Sequence, residues 1–203
     1  MKQVFHPMDT ERPVRGWSLL LVQLPASPSS ARVTAWRRLR EAGAARLLNG
    51  AWILPGTAAH AALFGQLLQT TRDRGGTGFV LTVSASTDTD ETMVQCFRAD
   101  RGREYDEFKE RCDAFLAEIA KETRAGKFTF AELEENEQDL AKLTRWQRKI
   151  KSRDFFPDER WPESVEAMDH CRMKLQEFSW AVYEAEGVPL HAGNAEEGEP
   201  DPA

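Results

Sequence analysis

No stretch of this 203-residue sequence stays apolar for the roughly 18–20 residues that a membrane helix needs. A membrane is therefore not among its expected surroundings. Residues 1–16 hold charges and prolines where a signal peptide would have its apolar centre, so the expected compartment is the cytoplasm. Cysteine is scarce. Cys96, Cys112 and Cys171 stand far apart, with no CxxC pair and no Cys/His ligand spacing, which argues against a zinc site and for free thiols in a reducing compartment. His170 adjoins Cys171, but neighbours on a helix point about 100° apart and do not share one metal easily. No GxxxxGK phosphate loop occurs and no nucleophile–base set is identifiable. Gly75, Gly76 and Gly78 read as a helix stop and a strand entry. The chain is expected to bind rather than to catalyse, without metal or cofactor.

Charge is plentiful and unevenly placed. The net charge is −6, which by itself disfavours a nucleic-acid partner. Residues 1–90 nevertheless carry ten Lys/Arg against six Asp/Glu, a balance of +4, and residues 91–203 carry 17 against 27, a balance of −10. Inside the acidic half, residues 145–153 (RWQRKIKSR) hold five bases and no acid. An acidic average can thus conceal basic faces.

The first half alternates strand and helix signals. Residues 17–24 form an apolar run of strand length that Pro25 stops. Pro28, Ser29 and Ser30 supply a loop and an N-cap for a helix over 31–42, with Val33, Trp36 and Leu39 as its inward stripe and Gly43 as its end. Short apolar runs at 45–48 and 51–54 flank Asn49-Gly50, a strong hairpin signal because both turn residues tolerate positive φ. Thr57 can cap a second helix reaching about Arg74, with Ala62, Leu63, Phe64 and Leu67 inward. Residues 77–85 alternate, placing Phe79, Leu81 and Val83 on one face. The order β-α-β-β-α-β fits a ferredoxin-like α+β domain over residues 17–86, preceded by an N-terminal arm at 1–16.

After a polar linker at 86–90, apolar residues recur at alternating spacings of three and four: Val94, Phe97, Tyr105, Phe108, Cys112, Phe115 and Ile119, interrupted only by Arg101. That seam marks a long amphipathic helix ending near Gly126. Thr129 and Glu132 make a capping box, with Phe128 and Leu133 as its hydrophobic staple. The next helix carries Leu133, Leu140, Leu143 and Ile150 inward. A third follows Pro162, with Val165, Met168, Leu175, Phe178 and Val182 inward. Residues 91–186 are therefore expected to form a three-helix antiparallel bundle, and residues 187–203 a disordered acidic tail.

Two basic groups are candidates for contact with DNA. In the first helix Arg37 and Arg38 face away from the apolar stripe, Arg40 lies at its edge and Arg32 in the first turn. Four arginines stand against one glutamate in a short span, although a solvated helix face has the same look. The second group is Arg145, Arg148, Lys149, Lys151 and Arg153. Its place at a helix C-terminus is also what the macrodipole favours, so a phosphate-contacting patch and dipole complementation are both open. The acids from Glu132 to Asp139 complement a helix N-terminus in the same way. Trp146 lies inside the second group, and the tryptophans at 17, 36 and 52 are expected in the core.

Residues 17–55 (WSLLLVQLPASPSSARVTAWRRLREAGAARLLNGAWILP) and 126–156 (GKFTFAELEENEQDLAKLTRWQRKIKSRDFF) resemble the N-terminal region of the ChrB family, the chromate-resistance regulatory proteins of bacteria. The resemblance runs from about residue 17 to 186, and the second segment is the more specific. The first is also similar to the ferredoxin-like domain of the PaaX repressor and of the small CRISPR adaptation nuclease. The resemblance implies a cytoplasmic regulator that binds double-stranded promoter DNA of a chromate-efflux operon, with the oxyanion chromate as effector. Longer members continue into a C-terminal domain, to which the residues linked with the chromate response belong. The nuclease likeness stops at the first strand, which ends Val22-Gln23-Leu24-Pro25 without the aspartate those enzymes use for metal. A homodimer is expected through the long seam, since such regulators read paired half-sites. The rival reading is a protein-interaction module acting through the bundle; a nuclease relic is a third.

Overall fold

The structure is a computed structural model that describes residues 16–23 and 29–188. The N-terminal arm, the loop expected at Pro25 to Pro28 and the acidic tail from residue 189 onward lie outside these residues. The elements are β1 (Gly16–Gln23), α1 (Ser29–Glu41), β2 (Ala45–Leu48), β3 (Ala51–Pro55), α2 (Ala58–Arg72), β4 (Thr77–Ser84), α3 (Thr87–Ala125), α4 (Phe130–Lys151) and α5 (Arg160–Ala185). The chain divides into two compact units, Met1–Glu104 with Ile150–Asp158, and Tyr105–Lys149 with Glu159–Ala203.

The first unit is built on one four-stranded sheet in the order β2-β3-β1-β4, every neighbouring pair antiparallel. With two helices between the strands, this is the ferredoxin-like βαββαβ arrangement that the element order implies. The pleat sorts the side chains. Leu20, Trp52, Leu54 and Val80 share the face that α2 covers, where Leu68 approaches Gly78. Trp17, Leu19, Leu21, Ile53, Phe79 and Leu81 lie on the other face.

The β2–β3 hairpin forms, but not with both turn residues at positive φ. Only Gly50 takes one, at φ +78°, and the pairing register shifts between Arg46 and Leu48. That bulge supplies the twist the turn would otherwise need. Gly50 is also irreplaceable for space, since a Cβ there would stand 2.4 Å from the Val22 carbonyl oxygen. In α2, Thr57 caps as expected, its hydroxyl accepting from the His60 amide at 3.1 Å.

Residues 86–90 are not a linker. They carry the first turn of α3, where Asp88 and Asp90 meet the positive end of the helix dipole. Asp90 also accepts a 2.8 Å hydrogen bond from Trp17 Nε1, and the buried Trp17 stacks on Phe97 at 5.8 Å and 14°. Phe155 and Phe156 close around Phe97 at 5.9 and 5.4 Å. Burying an aromatic side chain of this size stabilises by about 1.5–3 kcal/mol. The second face of the sheet is thus covered in part by the start of α3 and by residues 150–158. This is why the first unit extends to Glu104, where the sequence suggests a domain end near 86.

The second unit holds the rest of α3 with α4 and α5. Phe108 meets Trp146, and Glu122 meets Asn136, so α3 and α4 run antiparallel. Gln147 donates to the Ser164 carbonyl at 2.9 Å and Phe128 packs on Phe178 at 5.7 Å, so α5 reverses again. This is the expected three-helix bundle. Thr129 accepts from the Glu132 amide at 3.3 Å, while the Glu132 carboxylate turns to Lys127 at 2.9 Å. Cys171 Sγ lies 3.7 Å from the Cys112 carbonyl, both thiols buried and free. The Cys112 thiol is pushed up by its hydrogen bond with Cys171 and by burial, which keeps it protonated and inert.

Glu122 is buried in this bundle and its Oε2 accepts from Asn136 Nδ2 at 2.6 Å. Burial raises its pKa above the usual carboxylate range; the Asn136 bond opposes this, and a hydrogen bond to Glu132 adds to the rise. An acid with a raised folded-state pKa binds its proton more tightly folded than unfolded. Stability is therefore full below the ordinary glutamate value and declines as pH rises through the raised one. Glu122→Gln should remove that component, so the variant gains on wild type as pH rises and its decline is flatter. Denaturant melts from pH 5 to 8 check this; parallel curves for the two proteins would contradict it.

Candidate nucleic-acid interface

α1 ends just before Gly43. Gly43 takes φ +74° at the helix C-terminus, and a Cβ there would lie 2.8 Å from Arg153 Cβ. α1 is shallowly seated. Leu39 is buried and Ala35 half-buried, but Val33 and Trp36 are 50% and 54% exposed. The inward stripe expected from Val33, Trp36 and Leu39 is therefore corrected to Ala35 and Leu39. Apolar spacing of three is compatible with either side of so short a helix, and small Ala35 is what allows α2 to approach.

This rotation leaves Arg32, Arg37 and Arg38 exposed, with Trp36 beside them on the open surface. Arg38 and Thr34 of α1 line a small concavity with Thr70 of α2 and Arg74 of the turn that follows it. The Thr70 hydroxyl already donates to the Gln66 carbonyl at 2.9 Å, so it is the two exposed arginines beside this concavity that suit a phosphate oxygen. Arg74 had no sequence signal beyond its position before Gly75-Gly76, where a base at a helix end is the ordinary finding. Trp36 was hidden by its own hydrophobicity.

Arg40 and Arg153 have a different fate. Arg40 Nη1 lies 3.5 Å from Asp100 and Nη2 3.6 Å from Glu104. Arg153 Nη2 meets Glu104 at 2.8 Å, its Nη1 donates to the Arg40 carbonyl at 3.3 Å, and its side chain is 11% exposed. Arg101, the interruption in the apolar seam, is buried and bonds Glu104 at 3.0 Å, while its Nε has no partner. Arg103 pairs with Asp100 at the outer edge. Burial lowers the Arg101 pKa and Glu104 opposes that shift. Glu104 thus receives three arginines from three segments. Arg40 and Arg153 serve this network, and their charges are already met by carboxylates.

The remaining candidates lie on α4. Arg145, Arg148 and Lys149 are exposed and Lys151 is half-buried. Arg145, Arg148 and Lys149 belong to the second unit and Lys151 and Arg153 to the first, so the run is shared between two bodies. Trp146 packs against Phe108 at 5.7 Å and 71° and is half-buried. Among the described residues no group of three or more His, Cys, Asp or Glu side chains is placed to hold a metal ion. No helix among them is long and apolar enough to cross a membrane.

Fold and surface together define an α+β protein with a ferredoxin-like unit, a helical bundle and an exposed arginine-bearing helix. The sequence matches the family described as "Protein ChrB, N-terminal" over residues 32–189, and the chain belongs to that family. It is 30% identical over 174 residues to Protein ChrB of Cupriavidus metallidurans (strain ATCC 43123 / DSM 2839 / NBRC 102507 / CH34), covering 84% of this chain and 47% of that protein. The chain therefore spans about half the length of the curated relative it matches. No solved structure matches it.

Proposed function

We propose that this chain is a DNA-binding transcriptional regulator linked to chromate resistance, contacting promoter DNA through Arg32, Arg37 and Arg38 of α1 and Arg74 of the turn after α2. The observation that carries this reading is the exposed α1 face: arginines that pair with no carboxylate among the described residues, next to an exposed tryptophan and to Arg74 in the turn after α2. Membership in the ChrB family supplies the link to chromate. The cytoplasm is the compartment that fits such a role. Arg145, Arg148 and Lys149 form a second contact surface in this reading. A gel-shift assay on DNA upstream of the protein's own gene, with and without chromate, tests it. Retardation that weakens with salt supports the proposal, and a chromate-dependent change assigns the effector. Absence of binding at low salt defeats it.

A specific feature favours the protein-interaction reading as runner-up. An apolar groove of about 600 Å³ runs between α3 and α5, lined by Leu116, Ile119, Phe128 and Phe178. If no DNA is bound, this groove becomes the functional surface.

The nuclease reading makes its own expectation. β1 reads GWSLLLVQ and ends without a carboxylate, so nothing there could place a divalent metal at a scissile bond. Incubation with DNA or RNA and magnesium or manganese should leave both intact. Cleavage abolished by chelator would contradict this.

A further inference from the structure

The expected route to a homodimer is the seam of α3, and the structure closes it: Val94, Phe97, Tyr105, Phe108, Cys112, Phe115 and Ile119 are all buried within the chain. A different surface is open. β4 is an outer strand of the sheet and, among the described residues, borders only β1. Its sequence, TGFVLTVS, has neither a charge nor a proline, the devices that commonly blunt an exposed edge. Phe79 and Leu81 stand 66% and 42% exposed on one face, next to Leu21 at 36%.

We propose that two copies of this chain pair their β4 strands antiparallel about a two-fold axis at Leu81, joining two four-stranded sheets into one of eight. The backbone fixes the register. The Gly78 carbonyl accepts from Arg72 Nη2 at 3.3 Å, so it points away from β1. Strand alternation then turns the amides and carbonyls of Val80, Thr82 and Ser84 outward as well. With Leu81 opposite its own copy, Val80 faces Thr82 and Gly78 faces Ser84, so outward groups meet outward groups. The same register sets Phe79 against Val83 and Leu81 against Leu81, so the apolar residues that one copy exposes are covered by the other. The side chains of β4 itself are neutral, so none meets its own charge across the axis, and Arg72, held at Gly78, comes opposite Ser84 of the copy and not its own counterpart. An axis through the sheet keeps α1 and α2 of both copies on the same face. The inference itself does not depend on DNA binding.

The test uses the full chain. Light scattering at tens of micromolar should give a dimer mass for wild type and a monomer mass for Leu81→Lys, which sets two ammonium groups against each other. A thermal melt confirms that the exposed substitution leaves the fold intact. Leu81→Cys should crosslink on mild oxidation to a reducible species of twice the chain mass. Directly opposed residues of this pair type have Cα atoms about 4.5 Å apart, inside the roughly 4.4–6.8 Å range of a disulfide. Wild type, with Cys112 and Cys171 buried and Cys96 half-buried, should not crosslink. A monomeric wild type, a Leu81→Lys protein that remains dimeric, or a Leu81→Cys protein that stays uncrosslinked would each overturn the proposal.

Discussion

Replacing Glu104 by alanine should cost about 3–5 kcal/mol of stability, the range for breaking a buried ion pair by removing one partner. Its carboxylate receives Arg101 at 3.0 Å, Arg153 at 2.8 Å and Arg40 at 3.6 Å. Removing it takes from the guanidinium of Arg101, whose side chain is 4% exposed, the carboxylate it bonds and leaves only the weaker attraction of Asp100. It also releases residues 150–158 and the end of α1 from the same anchor. Removing an arginine is a different matter. Arg101→Met takes away a desolvated charge whose Nε already lacks a partner and leaves Glu104 with two cations. Methionine keeps the apolar stem but not the guanidinium, so the change should cost clearly less than the loss of Glu104. Guanidinium unfolding of both variants checks the asymmetry. Equal losses would mean that the network contributes through packing and not through the charge of Glu104.

This network shows what the sequence could and could not convey. The strand and helix order was legible because each element has its own period and its own stop: Gly43 after α1, Thr57 before α2, Gly75-Gly76 before β4. The buried seam of α3 was legible for the same reason, down to the break at Arg101. The meaning of that break was not: Arg101 meets Glu104 one turn along, but the other cations on that carboxylate come from residues 40 and 153, and no periodicity relates positions so far apart. For the same reason Arg40 and Arg153 looked like surface cations in clusters of surface cations. The polar run at 86–90 resembled a linker because helix N-termini and loops favour the same residues. Trp36 and Val33 were assigned to the core because burial is the usual fate of such side chains, and only the seating of α1 on Ala35 and Leu39 reveals otherwise. The contribution of Arg74 depends on α1 and α2 lying side by side, which is tertiary information.

The second large effect concerns DNA affinity. If α1 and the end of α2 meet the duplex, each arginine there neutralises a phosphate or reads a guanine edge, and each such specific interaction is worth about 1–3 kcal/mol. Arg37→Ala with Arg38→Ala should therefore weaken promoter binding by several kcal/mol, and adding Arg74→Ala should weaken it further. All three side chains are exposed, so the melting transition should move little, by roughly 0.5 kcal/mol per site at most. The contrast with Arg40 and Arg153 is part of the claim. Alanine at either should disturb stability first, through the Glu104 network, and affinity only secondarily.

The most direct measurement is the salt dependence of promoter binding by wild type and by the Arg37/Arg38/Arg74 triple alanine variant. For every arginine–phosphate pair that the substitutions remove, the slope of log affinity against log salt should become shallower by about 0.9. The account predicts a variant that melts like wild type, binds the same DNA far more weakly and shows that shallower slope. A variant that folds normally and keeps both the affinity and the slope of wild type would remove the α1–α2 face from the interface and contradict the account.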